Sequence, residues 1–137
     1  MRTVQIPEPV WATPADWFTS EADSFTDLDD EGLLHSYRRL IGAELVCADQ
    51  GRPNPELVKV RRWAEWCIGQ RLGDGMGDDG KPVDPPPAFA HMTREERGKC
   101  RRVGELDGDA LYEHLRTAGL NDVSRAACLR AVRRGVA

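Results

Sequence analysis

The sequence predicts an all-α fold, a small helical bundle. Helix-start signals recur along the chain, and the apolar residues after them return at spacings of three and four. No segment alternates polar and apolar residues for long enough to predict a strand. With 137 residues, 40% of them hydrophobic and 31% charged, the chain suffices for one modest core. Since no apolar run approaches the ~18 residues of a membrane span, we expect no membrane association.

The N-terminal segment is predicted to be an extended arm that leads into a short helix. Pro7 and Pro9 oppose regular structure in the arm. Thr13 is a helix-capping residue and Pro14 suits the first helical position, so a helix is predicted from residue 14 to about residue 20. Residues 1–12 lack the apolar core of a signal peptide, and we therefore expect a cytoplasmic protein.

A long helical hairpin follows. Asp29 is placed to cap a helix over about 29–49, with Leu28 and Leu33 at the two positions of a hydrophobic staple. Asn54 and Pro55 predict the start of a second helix, which continues to about residue 72. Because the loop between them is short, the two helices should pack antiparallel. The apolar stripe of the first helix comprises Leu33, Leu34, Tyr37, Leu40, Ile41, Leu45 and Ala48.

Residues 73–92 are predicted to form a linker between an N-terminal unit, residues 1–72, and a C-terminal unit, residues 93–137. Four glycines and four prolines lie within residues 73–87. Residues 75–81 fit the phosphate-loop pattern G-x-x-x-x-G-K, but Pro82 stands where a magnesium-binding Ser or Thr is needed. No strand precedes the pattern, so a flexible linker is the better interpretation.

Three short helices are predicted in the C-terminal unit. Thr93 and Glu96 form a capping box that opens a helix to about residue 103. Asp107 is placed to cap a second helix to about residue 118, and Asn121 a third over about 122–134. Three short helices with a glycine before the last one resemble a helix-turn-helix in outline.

Charge is distributed unevenly along the chain, whose net charge is −4. Residues 1–93 carry 9 basic and 16 acidic side chains, a net of −7, whereas residues 94–137 carry 10 basic and 7 acidic ones, a net of +3. A basic C-terminal unit suits an acidic partner, and the alternative function is therefore nucleic-acid binding. Its candidate residues are Arg94, Arg97, Arg101, Arg102, Arg130, Arg133 and Arg134.

No residue pattern points to catalysis, a metal or a cofactor. The four cysteines are 20, 33 and 28 residues apart, which is no metal-ligand spacing, and they are expected to be small buried hydrophobic residues. The three histidines are far apart in sequence and have no partner ligand at helical spacing. We therefore expect a non-enzymatic protein with no catalytic residue, no metal and no cofactor.

The tryptophans are candidates for a protein-binding surface. They are Trp11, Trp17, Trp63 and Trp66. The interpretation favoured here is that the arm with the first two packs on the hairpin with the other two, and the alternative is an exposed binding site. Arginine outnumbers lysine 16 to 3, which indicates a GC-rich genome such as that of an actinobacterium or its phage. The expected function is that of a small accessory protein that binds a protein partner. A structural component of a larger assembly is a further alternative, and the sequence leaves the oligomeric state open.

Overall fold

A computed structural model describes residues 2–132 and shows the predicted all-α fold. These residues form six α-helices, three short 3₁₀ turns and no strand. The helices are α1 (Trp17–Thr26), α2 (Asp30–Asp49), α3 (Pro55–Leu72), α4 (Arg94–Gly104), α5 (Gly108–Thr117) and α6 (Arg125–Ala131). The turns are Val10–Ala12, Pro87–His91 and Leu120–Asp122.

Four of the predicted helix starts are confirmed by their caps. The side chains of Asp29, Asn54 and Asp107 accept hydrogen bonds from backbone N–H groups of α2, α3 and α5. Thr93 and Glu96 form the reciprocal capping box of α4. Each of these caps is a local interaction, and local sequence therefore predicts where these helices begin.

Two helices differ from prediction in their bounds. α1 begins at Trp17 rather than Pro14 and continues to Thr26 rather than to about residue 20, so that Phe25 is buried on it. The last helix is Arg125–Ala131 rather than about 122–134, because Ser124 caps it by accepting a hydrogen bond from the N–H of Ala127. Asn121, predicted to cap it, lies in a 3₁₀ turn instead.

Helix α3 lies at the centre of the fold. α1, α2, α4 and α5 all pack against it, and a single cluster of buried side chains runs from Val4 in the arm to Val132 after α6. α3 and α4 cross with their backbones in contact: a Cβ atom on Gly104 would lie 2.8 Å from the Cα of Gly69. Only residues without a side chain permit so close an approach.

The predicted linker forms a tight loop with defined hydrogen bonds. The N–H of Gly77 donates to the carbonyl of Lys81 at 2.8 Å, and that of Val83 donates to the carbonyl of Gly75 at 3.0 Å. Gly73, Gly75 and Gly80 have positive φ angles, which favour glycine. The turn Pro87–His91 then packs against α2 and buries Phe89.

Candidate protein-binding surface

Two of the four tryptophans are core residues. Trp17 and Trp63 are only 5% and 7% exposed. The Nε1 of Trp63 donates to the carbonyl of Ala22 at 3.0 Å, and its ring meets Phe18 edge-on with the centroids 6.2 Å apart. Helix α1 therefore packs against α3, and these two rings offer little surface to a partner.

The other two tryptophans are half-buried and also have partners within the chain. Trp66 stacks on Trp63 with a centroid distance of 4.8 Å, and its Nε1 donates to the carbonyl of Leu106 at 3.0 Å. The guanidinium of Arg52 lies 5.0 Å from the centroid of the Trp11 ring. All four tryptophans that were predicted as a protein-binding surface thus have contacts within the chain.

The predicted arginine patch is divided by the fold. Arg97 donates to the carbonyls of Met92 and Phe89, at 2.5 and 3.3 Å, and so fixes the start of α4. Arg101 is half-buried, and its guanidinium lies against the backbone of Gly75. Arg97 is therefore engaged within the structure, whereas the buried Nε of Arg101 has no hydrogen-bond partner among the described residues.

Three of the predicted arginines remain exposed: Arg94 and Arg102 on α4, and Arg130 on α6. Arg133 and Arg134 lie outside the described residues. The exposed part of the predicted patch is therefore smaller than the sequence suggested.

A buried ion cluster that the sequence did not reveal surrounds Glu65. The Oε1 of Glu65 accepts from Arg62 at 2.5 Å, and its Oε2 accepts from Nε and Nη2 of Arg125 at 2.9 and 2.5 Å. Arg61 connects the cluster to α2 by donating to Glu44 at 2.9 Å. Because both oxygens of Glu65 are bound by guanidinium groups, this carboxylate is arranged to hold helices together.

Burial alters the titration of groups beside this cluster. Desolvation, followed by the charge of Glu65, raises the pKa of Tyr37 to about 12. Desolvation also raises the pKa of Glu44 above its ordinary value, although Arg61 opposes the change. Tyr37 thus stays protonated near neutral pH.

One side of α2 exposes apolar side chains. We call it the α2 outer face and define it as Arg38, Ile41, Gly42, Leu45, Val46 and Asp49. Leu45 is 64% exposed and Val46 44% exposed, although both lie within a regular helix. Around a helix of about 100° per residue, they lie opposite the buried Leu40 and Cys47. The centre of this face is apolar, while Arg38 and Asp49 place opposite charges at its two ends.

The N-terminal half of the same side of α2 is bordered by another segment of the chain. The turn Pro87–His91 lies beside it, and Arg38 donates to the carbonyl of His91 at 3.1 Å. Between them is an open groove of about 340 Å³. Its lining comprises Glu31, Leu34, His35, Arg38, Pro87, Ala88 and His91.

The sequence contained a signal for the α2 outer face. Its apolar stripe was wide, and the structure buries Leu33, Leu40 and Tyr37 from that stripe but leaves Leu45 in solvent. When an apolar stripe is wider than the surface that a neighbouring helix can cover, the residues along one side of the stripe stay wholly or partly uncovered. In α2 these residues are Ile41, Leu45 and Ala48. Sequence periodicity alone does not indicate which edge stays uncovered.

Within residues 2–132, no group of three or more His, Cys, Asp and Glu side chains is arranged to hold a metal ion. No helix among these residues is both long enough and apolar enough to cross a membrane. All four cysteines are buried and free, as their spacing had suggested. No known protein family, curated protein or solved structure matches this chain.

Proposed function

We propose that this chain is a non-enzymatic accessory protein, encoded in a GC-rich genome, that acts by binding a protein through the α2 outer face. The observation that carries the proposal is the exposure of Leu45 and Val46 side by side on a 20-residue helix. Scattered apolar residues are normal on protein surfaces. An exposed, contiguous aliphatic face on a helix whose opposite side is buried is typical of an interaction surface.

The rest of the structure supports this choice of surface. Trp17 and Trp63 already have internal partners, and the Glu65 cluster is saturated by its own arginines. Leu45 and Val46 of the α2 outer face are exposed instead, and covering them with another protein would lower the free energy by removing apolar surface from water. Each apolar Å² that a partner covers is worth roughly 25 cal/mol.

Nucleic-acid binding is the second candidate, supported by the exposed α4 arginines. Arg94 and Arg102 are eight residues apart, about 12 Å along the helix, with Gly98 between them. Replacing Arg94, Arg102 and Arg130 with Ala tests it directly. If they bind phosphates, affinity for duplex DNA falls by ~0.9 log unit per log unit of salt for each contact, and the triple variant flattens that slope.

Affinity capture from the native host, with and without nuclease, tests the protein-binding proposal. The bait proteins are the wild type, Leu45→Glu, and Leu120→Glu as the matched control. Leu120 is 47% exposed and lies on a 3₁₀ turn of the C-terminal segment. Both replacements put a charge at an exposed leucine, so neither should disturb the fold.

The proposal predicts a protein that the wild type and Leu120→Glu retain, that Leu45→Glu loses, and that nuclease does not release. In the purified complex, backbone amides of residues 41–49 should exchange more slowly than in the free protein. Equal retention by Leu45→Glu and Leu120→Glu would contradict the proposal. Loss of every retained protein on nuclease treatment would favour the nucleic-acid alternative instead.

A further inference from the structure

We infer that the chain that binds the α2 outer face is a second copy of this protein, and that the two α2 helices pair antiparallel about a two-fold axis. This inference rests on the proposed function, since it names the partner of the same surface. It is carried by the symmetry of the face itself. A two-fold contact requires a surface that is complementary to itself, and the α2 outer face meets that requirement.

The complementarity appears in the spacing of four residues. Gly42 and Leu45 are equally far from the midpoint between residues 43 and 44, and so are Arg38 and Asp49. Antiparallel pairing about that midpoint therefore places Leu45 of each copy against Gly42 of the other. The same register places Arg38 of each copy against Asp49 of the other. One register thus matches a large side chain with a gap and a positive charge with a negative one.

Gly42 leaves room for a close neighbour on the α2 outer face. It lies on the exposed side in the middle of α2, where glycine disfavours a helix relative to alanine. A Cβ atom at this position would meet no atom within 4 Å, so nothing in the described structure requires glycine here. Where α3 and α4 cross in this same protein, Gly69 and Gly104 permit contact between helix backbones. Gly42 would allow a second α2 helix to approach in the same way.

The charges at the two ends of the face are available for the pairing. Arg38 and Asp49 are both exposed, and neither forms an ion pair with any of residues 2–132. Arg38 uses Nη2 to bind the carbonyl of His91 at 3.1 Å. In the antiparallel register each dimer has two Arg38–Asp49 pairs, one at each end of the contact.

The size of the contact sets the expected strength of association. The face extends from residue 38 to residue 49, about 16 Å along the helix. A pair of such half-helices covers less than the ~1,200 Å² buried in the smallest stable complexes of standard size. We therefore expect a reversible dimer with a dissociation constant in the micromolar range.

Sedimentation equilibrium of the purified full-length chain tests the inference. The wild type should change reversibly from monomer to dimer with concentration, and Leu45→Glu should weaken association at least about tenfold. Leu120→Glu should associate as the wild type does. A wild type that stays monomeric up to millimolar concentration overturns the inference, as does a Leu45→Glu variant that dimerises normally.

Two glycine variants separate a contact from a general effect on folding. Gly42→Gln should raise the melting temperature of the monomer, because glutamine favours a helix, and should nevertheless weaken dimerisation. Gly98→Gln is the matched control, since a Cβ on Gly98 of α4 also meets no atom within 4 Å. It should raise the melting temperature and leave dimerisation unchanged. Equal dimerisation by both variants would contradict a close approach at Gly42.

A charge exchange tests the register. At low ionic strength, Asp49→Arg and Arg38→Glu should each weaken dimerisation by about 3- to 10-fold, because each juxtaposes like charges. The double variant should restore association to within about threefold of the wild type. A double variant weaker than either single variant overturns the antiparallel register.

The outcome is distinguishable from failure of the proposed function. If the purified protein is monomeric but retains a host protein through Leu45, the inferred dimer is wrong and the proposed function stands. If it is monomeric and retains no protein through Leu45, both the dimer and the proposed function are wrong.

Discussion

Glu65 of α3 and Arg125 of α6 bind each other across sixty residues of sequence. Both Nε and Nη2 of Arg125 donate to the same carboxylate oxygen, while Arg62 occupies the other. Glu65 has no exposed surface. The short helix α6 is therefore attached to the centre of the fold by a charged interaction that most small helical proteins would replace with apolar contacts.

The first prediction concerns this attachment. Glu65→Ala should lower the free energy of unfolding by ~3–5 kcal/mol, because it leaves the buried Arg62 without a countercharge. Arg125→Ala should cost less, ~1.5–3 kcal/mol, since Arg62 still pairs with Glu65. Urea unfolding followed by circular dichroism measures both. Arg116→Ala, which breaks the exposed pair with Glu113, is the control and should unfold as the wild type does. If Glu65→Ala were as stable as that control, the cluster would have no structural role.

The caps of the helices could be predicted from sequence, whereas the Glu65 cluster could not. A cap such as Asp29 is formed within three residues, so its signal is complete in a short stretch of chain. The ion pair between Glu65 and Arg125 depends on where α6, which packs on α4 and α5, lies relative to α3. The two partners are sixty residues apart, so no local pattern in the sequence indicates that they meet.

The second prediction concerns the crossing of α3 and α4. Gly69→Ala should destabilise the protein by at least ~1–3 kcal/mol, because the added methyl group would overlap the backbone of Cys100. Gly98→Ala on the open side of α4 should instead stabilise it by ~0.5–1 kcal/mol. Thermal unfolding of both variants checks the opposite signs. Two changes of the same sign would mean that α3 and α4 do not cross at Gly69.

The third prediction separates core tryptophans from surface ones. Trp63→Ala should cost ~3–5 kcal/mol, because a nearly buried indole with a hydrogen bond to Ala22 is removed. Trp11→Ala should cost much less, since Trp11 is half-buried and its contact with Arg52 is worth about 0.5–1 kcal/mol. Chemical unfolding measures both. A stable Trp63→Ala variant that no longer bound the partner would contradict this assignment and indicate that the tryptophans form the binding site.

The fourth prediction is a loss of stability at alkaline pH. Burial raises the pKa of Cys67 and Cys100 to about 12, and that of Cys128 to about 11, from 9.0. The folded protein keeps these protons where the unfolded chain releases them, so the stabilisation is complete below pH 9 and is lost as pH rises above 9. The free energy of unfolding should be about 3–4 kcal/mol lower at pH 10 than at pH 7.

Urea unfolding at pH 7 and at pH 10 measures this loss. Cys100→Ala should reduce the difference between the two pH values by about one third, because it removes one of the three thiols whose pKa is raised most. An unchanged difference in Cys100→Ala would contradict the assignment to buried thiols.

The proposed binding surface was less predictable than the fold. Of its residues, only Ile41 and Leu45 belong to the long apolar stripe of α2, and the exposure of Leu45 and Val46 depends on which helices pack around α2. α3 and the turn Pro87–His91 cover parts of α2 and leave Leu45 and Val46 open. The tryptophans are the largest apolar side chains of the chain, and Trp17 and Trp63 are nevertheless buried. Size alone therefore does not identify an interface residue.

The central claim, that this chain acts by binding a protein through the α2 outer face, is tested most directly by photo-crosslinking in the native host. A photoreactive phenylalanine analogue is placed at position 45, and at position 120 as the control. The account predicts an abundant protein adduct from position 45, either to a second copy or to another chain, and little from position 120. Equal adducts from both positions would contradict the claim. So would the absence of an adduct from position 45 in a protein that retains nucleic acid through Arg94 and Arg102.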